Sequence, residues 1–149
     1  MVIDTSDDGP AMWSFVVRHH LEGLVAKLHT SLYRAGRDAV WVKIKRVRRA
    51  TILITGWEAG AGSRSTGVGA MVMSLLGPDG SLVEVGRVGS GLRDADHKPL
   101  VKTLMSGAHF IAEVSYLSVT ATGQVRQPVW KGVRTDVGRE ACTLAQLAE

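Results

Sequence analysis

Residues 50–89, ATILITGWEAGAGSRSTGVGAMVMSLLGPDGSLVEVGRVG, decide the fold of this 149-residue chain. They contain three apolar runs of strand length, ATILITGW, GVGAMVMSLLG and SLVEVGRVG, which glycine-rich segments separate. Aliphatic runs bounded by Gly, Pro and Asp predict strands joined by turns, and GPDG at 77–80 is such a turn. Two further runs, HFIAEVSYLSVT and QVRQPVWKG, lie at 109–120 and 124–132. This part of the chain therefore predicts five strands.

A single helix is expected between the third and fourth strands, in LRDADHKPLVKTLMSG at 92–107. Asp94 is a candidate N-cap and Gly107 a stop signal, while Pro99 disfavours a regular first turn. Five strands with one helix between the third and fourth are the element order of an OB-fold barrel. We therefore predict a mainly β fold, with a five-stranded OB-fold barrel in residues 47–149. After Trp130 we expect irregular chain and a short helical tail.

Residues 1–46 follow a different pattern and predict a short α+β segment ahead of the barrel. Apolar residues at helical spacing indicate a short helix over 11–20. EGLVAKL at 22–28 is compact and favours one strand, and VWVKIKRV at 40–47 alternates as a second strand does. The chain is thus expected to divide near residue 46.

Lys43 and Lys45 are the informative pair in this segment. Alternation along a strand places them on one face with Trp41, about 7 Å apart at Cα. Two ammonium groups on one face repel each other unless an anion lies between them. Glu22 precedes them in the chain, and a carboxylate can bind a divalent cation while lysines neutralise a phosphate. The pattern favours phosphoryl or nucleotidyl transfer, and a surface charge pair is the alternative.

The net charge of +4 is localised. Residues 1–49 hold nine Lys or Arg against five Asp or Glu, whereas residues 50–149 hold nine of each. A local basic excess is typical of proteins with a phosphate-rich partner. A solvated charged face explains the same pattern, so charge alone leaves both interpretations open.

Several classes of protein are disfavoured by composition. Cys142 is the single cysteine, so no internal disulfide forms and a reducing, cytoplasmic location is expected. The acidic start MVIDTSDDGP lacks the apolar core of a secretory signal. No apolar run approaches the roughly 18 residues of a membrane span. The histidines lack the spacing of a metal site, and no glycine-rich segment has the Gly-Lys-Ser/Thr of a phosphate-binding loop.

Several segments in order resemble the ATP-dependent DNA ligases. EGLVAK and SLYRAGRDAVWVKIK resemble motifs IV and V of that family. GWEAGAGSRSTGVGAMVMSLLG, VGRVGSGL and AEVSYLSVTATGQVRQPVWKGVRTD resemble its OB-fold domain. The likeness runs from about residue 8 to 137 and is to the bacterial repair-type ligases in particular. It implies the C-terminal part of such an enzyme: a remnant of the adenylation (nucleotidyltransferase) domain in residues 1–46, then a DNA-binding OB domain in residues 47–149.

The resemblance assigns roles to individual residues. Glu22 matches the motif IV carboxylate that binds Mg²⁺, and Lys43 and Lys45 match the motif V lysines that contact the adenylate phosphate. Arg134 and Asp136, in GVRTDV, match the motif VI element that orients the ATP pyrophosphate. The family's Lys-x-Asp-Gly nucleophile lies upstream of motif IV and does not occur in these 149 residues. Val137 stands where motif VI has a lysine, which removes one positive charge.

The implied function is DNA strand joining in repair or replication, with ATP and Mg²⁺ as the family's cofactors. Because the nucleophilic lysine is absent, no catalytic residue is assigned, and the chain alone is not expected to form a lysyl-adenylate. Three interpretations remain: half of a split ligase that needs a second chain, a non-catalytic OB-fold nucleic-acid-binding module, or a decayed ligase remnant. Nicked or double-stranded DNA is the expected partner, and no membrane is. The candidate DNA-binding residues are Arg46, Arg48, Arg49, Arg64, Arg87 and Arg93.

Overall fold

The computed structural model describes residues 5–32, 36, 40–60 and 68–148. The chain forms two compact units, Met1–Arg46 and Val47–Glu149. The roles that the resemblance gives to the two parts stay predictions.

The first unit contains one helix and a two-stranded sheet. Helix α1 spans Gly9–Arg18, two residues earlier at each end than the predicted 11–20. Its start is explained by the Asp8 carboxylate, which accepts a hydrogen bond of 3.0 Å from the Ala11 amide as an N-cap. Strands β1 (Gly23–Lys27) and β2 (Trp41–Lys45) pair antiparallel.

The second unit is built on a five-stranded antiparallel sheet, as the sequence predicts. Strand order in this sheet is β5-β4-β3-β6-β9, and β7 and β8 form a separate hairpin. The strand bounds are β3 Arg48–Ala59, β4 Val68–Leu76, β5 Leu82–Val88, β6 Phe110–Tyr116, β7 Ser118–Val119, β8 Val125–Arg126 and β9 Val129–Arg134.

The last two predicted runs each divide in two. The fourth gives β6 and β7, and the fifth gives β8 and β9. Gln127 has a positive φ of 50°, and Pro128 has no N–H to donate, so the ladder breaks between β8 and β9. The expectation of irregular chain after Trp130 is wrong, because β9 pairs with β6 as far as Arg134.

The two outer strands of the sheet, β5 and β9, approach each other at one end. Ser90, just after β5, forms a parallel bridge with Val129, and the Trp130 amide donates to the Ser90 carbonyl at 2.8 Å. This single bridge joins the outer strands where a continuous ladder would close the barrel. The architecture is that of an OB fold with a partly open barrel.

Helix α2 spans Asp94–Met105, between β5 and β6 as predicted. Asp94 is its first helical residue rather than its N-cap, so that prediction is wrong by one position. Pro99 lies inside the helix, where its missing N–H removes one hydrogen bond. Gly107 ends the helix with a positive φ of 79°. No helix in the described parts of the chain has the length and apolar character needed to cross a bilayer.

The hydrophobic core lies inside the curved sheet of the second unit. Its side chains come from β3, β4, β5 and β6, and from Val125, Trp130 and Cys142. The fully buried positions of β4 are a valine, two methionines and a leucine rather than aromatics, as the low aromatic content requires. The largest fully buried core residues here are Ile52, Ile54, Val68, Met71, Met73, Leu75, Val85, Val88, Val114 and Cys142.

The C-terminal segment completes the sheet where β3 and β4 separate. The Leu76 amide donates to the Cys142 carbonyl at 2.7 Å, and Leu76 bridges Thr143 in parallel. The Gln146 carboxamide accepts from the Thr51 amide at 2.9 Å and donates to the Thr51 carbonyl at 3.0 Å, as a neighbouring strand would. Cys142 is fully buried, and burial raises the pKa of its thiol. The predicted helical tail consists of two short 3₁₀ helices, Arg139–Ala141 and Leu144–Leu147.

Candidate functional site

The β1–β2 sheet places the predicted phosphate-binding lysines on one face. Lys43 lies opposite Val25, and Lys45 lies opposite Gly23. Both lysines belong to the uninterrupted strand β2 and are exposed. Their side chains therefore project from the same face, as alternation in the sequence predicts.

Gly23 is what allows the two strands to approach. Its φ is +156°, and a Cβ added there would lie 2.1 Å from the Ile44 carbonyl oxygen. Only glycine fits such a contact with backbone atoms. The pairing continues one position further, because the Arg46 amide donates to the Glu22 carbonyl at 2.8 Å. The candidate metal ligand, Glu22, is thus the residue directly before the glycine that makes the close backbone contact.

Glu22 is exposed, and within the described residues its carboxylate takes part in no ion pair. No group of three or more His, Cys, Asp or Glu side chains converges in the parts of the chain that the structure describes. Mg²⁺ binds through one or two carboxylates together with phosphate oxygens and water. A single carboxylate such as Glu22 is compatible with that ion where phosphate oxygens and water complete the coordination.

The predicted motif VI pair is assembled on the second unit at the end of β9. Arg134 Nε donates to Asp136 Oδ1 at 3.0 Å and Nη2 donates to Oδ2, a two-pronged pair. Arg134 Nη1 donates to the Thr51 hydroxyl at 3.1 Å. Hydrogen bonding from Arg134 lowers the pKa of Asp136, and the same pair raises the pKa of Arg134. The charged guanidinium is therefore held between Thr51 of β3 and Asp136, two residues after the end of β9.

Two of the arginines predicted to contact DNA are already paired with carboxylates. Arg49 Nη1 lies 2.9 Å from Glu113 Oε1. Arg87 Nε donates to Glu58 at 2.6 Å, and its Nη1 lies 3.1 Å from Glu84. These carboxylates compete with DNA phosphates for the same donors, so contact with DNA requires an exchange of partners.

The remaining predicted DNA contacts differ in exposure. Arg46 and Arg48 are half-buried, whereas Arg93 is exposed. Arg93 lines an open cavity of about 390 Å³ on the second unit, beside Trp130 and Lys131. Lys131 was not among the predicted contacts, since nothing in the local sequence separates it from other exposed lysines. Arg64 lies outside the described residues.

One cation on the lysine-bearing face escaped the sequence prediction. Lys27 lies opposite Trp41 in the β1–β2 register, so it shares the face of Lys43 and Lys45. Its Nζ lies 4.2 Å from the centroid of the Trp41 ring, a cation–π contact. The motif EGLVAK contains this lysine, but only the strand register shows that it shares a face with Lys43 and Lys45.

Comparison with known proteins gives matches over most of the chain. No protein-family model matches it. The chain is 35% identical to the multifunctional non-homologous end joining protein LigD of Mycolicibacterium smegmatis, over 87% of this chain and 20% of that protein. LigD of Pseudomonas aeruginosa is 33% identical, over 78% of this chain and 17% of that protein. The chain thus spans about a fifth of the length of these relatives.

Solved structures agree with the sequence matches. The crystal structure of the ligase domain from M. tuberculosis LigD is 31% identical, with a TM-score of 0.57, over 91% of this chain and 52% of that domain. A Lig E DNA ligase structure has a TM-score of 0.63 at 18% identity and supports the fold alone. The chain is homologous to the C-terminal region of ATP-dependent DNA ligases.

Proposed function

We propose that this chain supplies the DNA-binding part and the phosphate side of the nucleotide site of an ATP-dependent DNA ligase. The observation that carries the proposal is the face of the β1–β2 sheet. There Lys43 and Lys45 lie together beside the strand that follows Glu22, in a chain homologous to ligases. Lysines on one strand face neutralise phosphate charge as it develops during nucleotidyl transfer.

The roles of the site residues follow from their chemistry. Lys43 and Lys45 bind the phosphate of an adenylate, and Glu22 contributes one oxygen ligand to Mg²⁺. Mg²⁺ would supply Lewis-acid stabilisation of the phosphate oxygens. Arg134, held by Asp136 and Thr51, is the residue that the resemblance to ligases assigns to the pyrophosphate of ATP.

The chain depends on another segment or a second chain for the adenylation step. Its 149 residues contain no Lys-x-Asp-Gly nucleophile, and the remaining charges cannot replace a missing nucleophile. With labelled ATP and Mg²⁺ the chain should incorporate no AMP; robust labelling would overturn this part of the proposal. With DNA as the substrate, the cytoplasm is the expected location.

Binding to DNA rests on the basic residues of both units. Contacts to backbone phosphates make affinity fall with salt, with a log–log slope of roughly −0.9 per phosphate contacted. Sequence-specific binding is not expected, because a ligase accepts any nick and phosphate contacts carry no base information. The expected partner is nicked duplex DNA. An affinity for this DNA that does not change with salt would contradict the proposal.

The central experiment bypasses the missing lysine. The purified chain is given a nicked duplex already adenylated at its 5′ phosphate, with Mg²⁺, and both binding and sealing are measured. Catalytic phosphate binding would be established if Lys43→Met abolishes sealing and Lys102→Met does not. Lys102 is an exposed lysine of α2 and serves as the control. Salt-sensitive binding without sealing would restrict the role to DNA binding, with chemistry supplied by a second chain. Neither binding nor sealing would overturn the proposal.

A second candidate is a non-catalytic OB-fold module that binds nucleic acid. It is favoured by the distribution of the core, since all buried hydrophobic residues described except Val16 lie in the second unit. This candidate predicts that residues 47–149 bind nicked duplex as tightly as the full chain. A clear loss of affinity without residues 1–46 would exclude it.

A further inference from the structure

We propose that Lys27 is a third cation of the phosphate-binding face and that Trp41 positions it, so that this face takes an oligophosphate chain. The inference deepens the proposed function and rests on it. The motif V lysines account for two charges on the face. The register adds Lys27 as a third, and the indole beneath it fixes where that charge lies.

The register places the three lysines on one face of the strand pair. Lys45 and Lys43 are two residues apart on β2, and Lys27 is diagonal to Lys43 across the strand pair. Same-face neighbours along a strand and diagonal neighbours across a pair are each separated by about 7–8 Å between their backbone positions. The other same-face residues of β1 and β2 are Gly23, Val25 and Trp41, so the two strands place no carboxylate among these lysines. A chain of two or three phosphates spans such spacings, whereas a single chloride does not.

Trp41 is itself held in place. Its indole Nε1 donates to the Ser31 hydroxyl at 3.1 Å, and that hydroxyl donates to the Leu28 carbonyl at 2.7 Å. The turn that follows β1 therefore anchors the ring, and the ring holds the Lys27 ammonium 4.2 Å from its centroid. A lysine held this way loses less side-chain freedom when it binds a phosphate. This chain of contacts makes Trp41 a positioning residue and Lys27 a binding residue.

The test measures binding of inorganic tripolyphosphate to the full chain by titration calorimetry. Lys27→Met should weaken binding roughly fivefold, the upper range for one solvent-exposed charge pair. Trp41→Leu should weaken it by a similar factor, and the double variant should be no weaker than Lys27→Met alone. Lys27→Arg should retain affinity, because a guanidinium keeps the charge and also lies over an aromatic ring.

Matched variants separate the possible failures. Lys102→Met should bind as the unmodified chain does, and Lys43→Met should weaken binding. If Lys43→Met weakens binding but Lys27→Met does not, the inference falls and the proposed phosphate site stands. If the unmodified chain binds no tripolyphosphate, or Lys43→Met has no effect, both fall. Lower melting temperatures for Lys27→Met and Trp41→Leu with unchanged affinity would reduce the contact to a structural one and overturn the inference.

Discussion

The two units of the chain differ in how completely their strands are covered. In the second unit, Ile52 and Ile54 of β3 lie in a sheet of five strands and are at most 1% exposed. In the first unit, Val42 and Ile44 occupy equivalent alternating positions of β2, yet they are 53% and 43% exposed. The same apolar alternation thus has opposite outcomes, because a two-stranded sheet has too few neighbours to bury a face.

This difference matches the roles proposed for the units. The second unit has the continuous core that an independent binding domain needs. In the first unit, both faces of the β1–β2 sheet have exposed side chains. Lys27, Lys43 and Lys45 lie on one of these two faces. Exposed apolar strands are also the surface on which further protein packs. The first unit is therefore expected to be the less stable of the two.

Matched isoleucine substitutions give the largest expected contrast. Ile54→Ala should lower the free energy of unfolding of the second unit by about 2–5 kcal/mol, since it leaves a cavity in the core. Ile44→Ala removes the same atoms from an exposed strand and should cost less than about 1 kcal/mol. Urea denaturation followed by circular dichroism measures both. Equal losses would show that the two units are equally well packed.

A glycine substitution tests whether the first unit opens independently. Gly23→Ala places a Cβ against the Ile44 carbonyl oxygen, so the β1–β2 pairing should be lost. Amide hydrogen exchange in those strands should accelerate at least about tenfold, equivalent to about 1.4 kcal/mol. Amides of the five-stranded sheet should keep their rates. Gly9→Ala, where a Cβ meets nothing within 4 Å, is the control. Faster exchange throughout both units would contradict independent opening.

A third prediction concerns the C-terminal segment and its contribution to the stability of the second unit. Gln146→Ala removes both hydrogen bonds to the Thr51 backbone and leaves a half-buried amide without its partner. The expected loss for the second unit is about 1–3 kcal/mol. Gln124→Ala removes one hydrogen bond, to the Glu84 carbonyl, and should cost less. Thermal denaturation of the two variants compares them, and an equal cost would mean that Gln146 does not complete the sheet.

The Arg134–Asp136 pair should have the smallest effect, and one that depends on pH. The pKa of Asp136 is lowered by its hydrogen bonds to Arg134, so the charged form stabilises the folded state. That contribution is present above the ordinary carboxyl pKa near 3.8 and is lost as pH falls through the lowered value. Asp136→Asn should therefore melt slightly below the unmodified chain at pH 7, with the difference vanishing at strongly acid pH. A difference independent of pH would show that the charge of Asp136 does not matter.

Local patterns were sufficient for the strands and for part of the site. The apolar runs between residues 50 and 132 became strands because Val, Ile and Thr favour a pleated, half-buried surface. The GPDG turn formed as predicted, with a positive φ of 79° at Gly80. Lys43 and Lys45 share a face because alternation is a property of any strand. The break between β8 and β9 was missed, because a positive φ at a residue other than glycine, here Gln127, leaves no mark in the local sequence.

Charge alone was a weaker guide for the DNA-binding arginines. Glu58 is 29 residues from Arg87 and Glu113 is 64 residues from Arg49, so only strand pairing brings each pair together. The contact between Lys27 and Trp41 has the same origin, since it depends on the register of β1 against β2.

The sequence by itself determined the mainly β class, the element order of an OB fold and the faces on which the strand lysines lie. These features depend on alternation, turn residues and glycine, which act over a few neighbouring positions. Only the tertiary structure decided the single bridge between β5 and β9, the insertion of residues 142–146 beside β3 and β4, and the ion pairs of the arginines. Those contacts join residues far apart in the chain, and their energies exist only after the strands have paired.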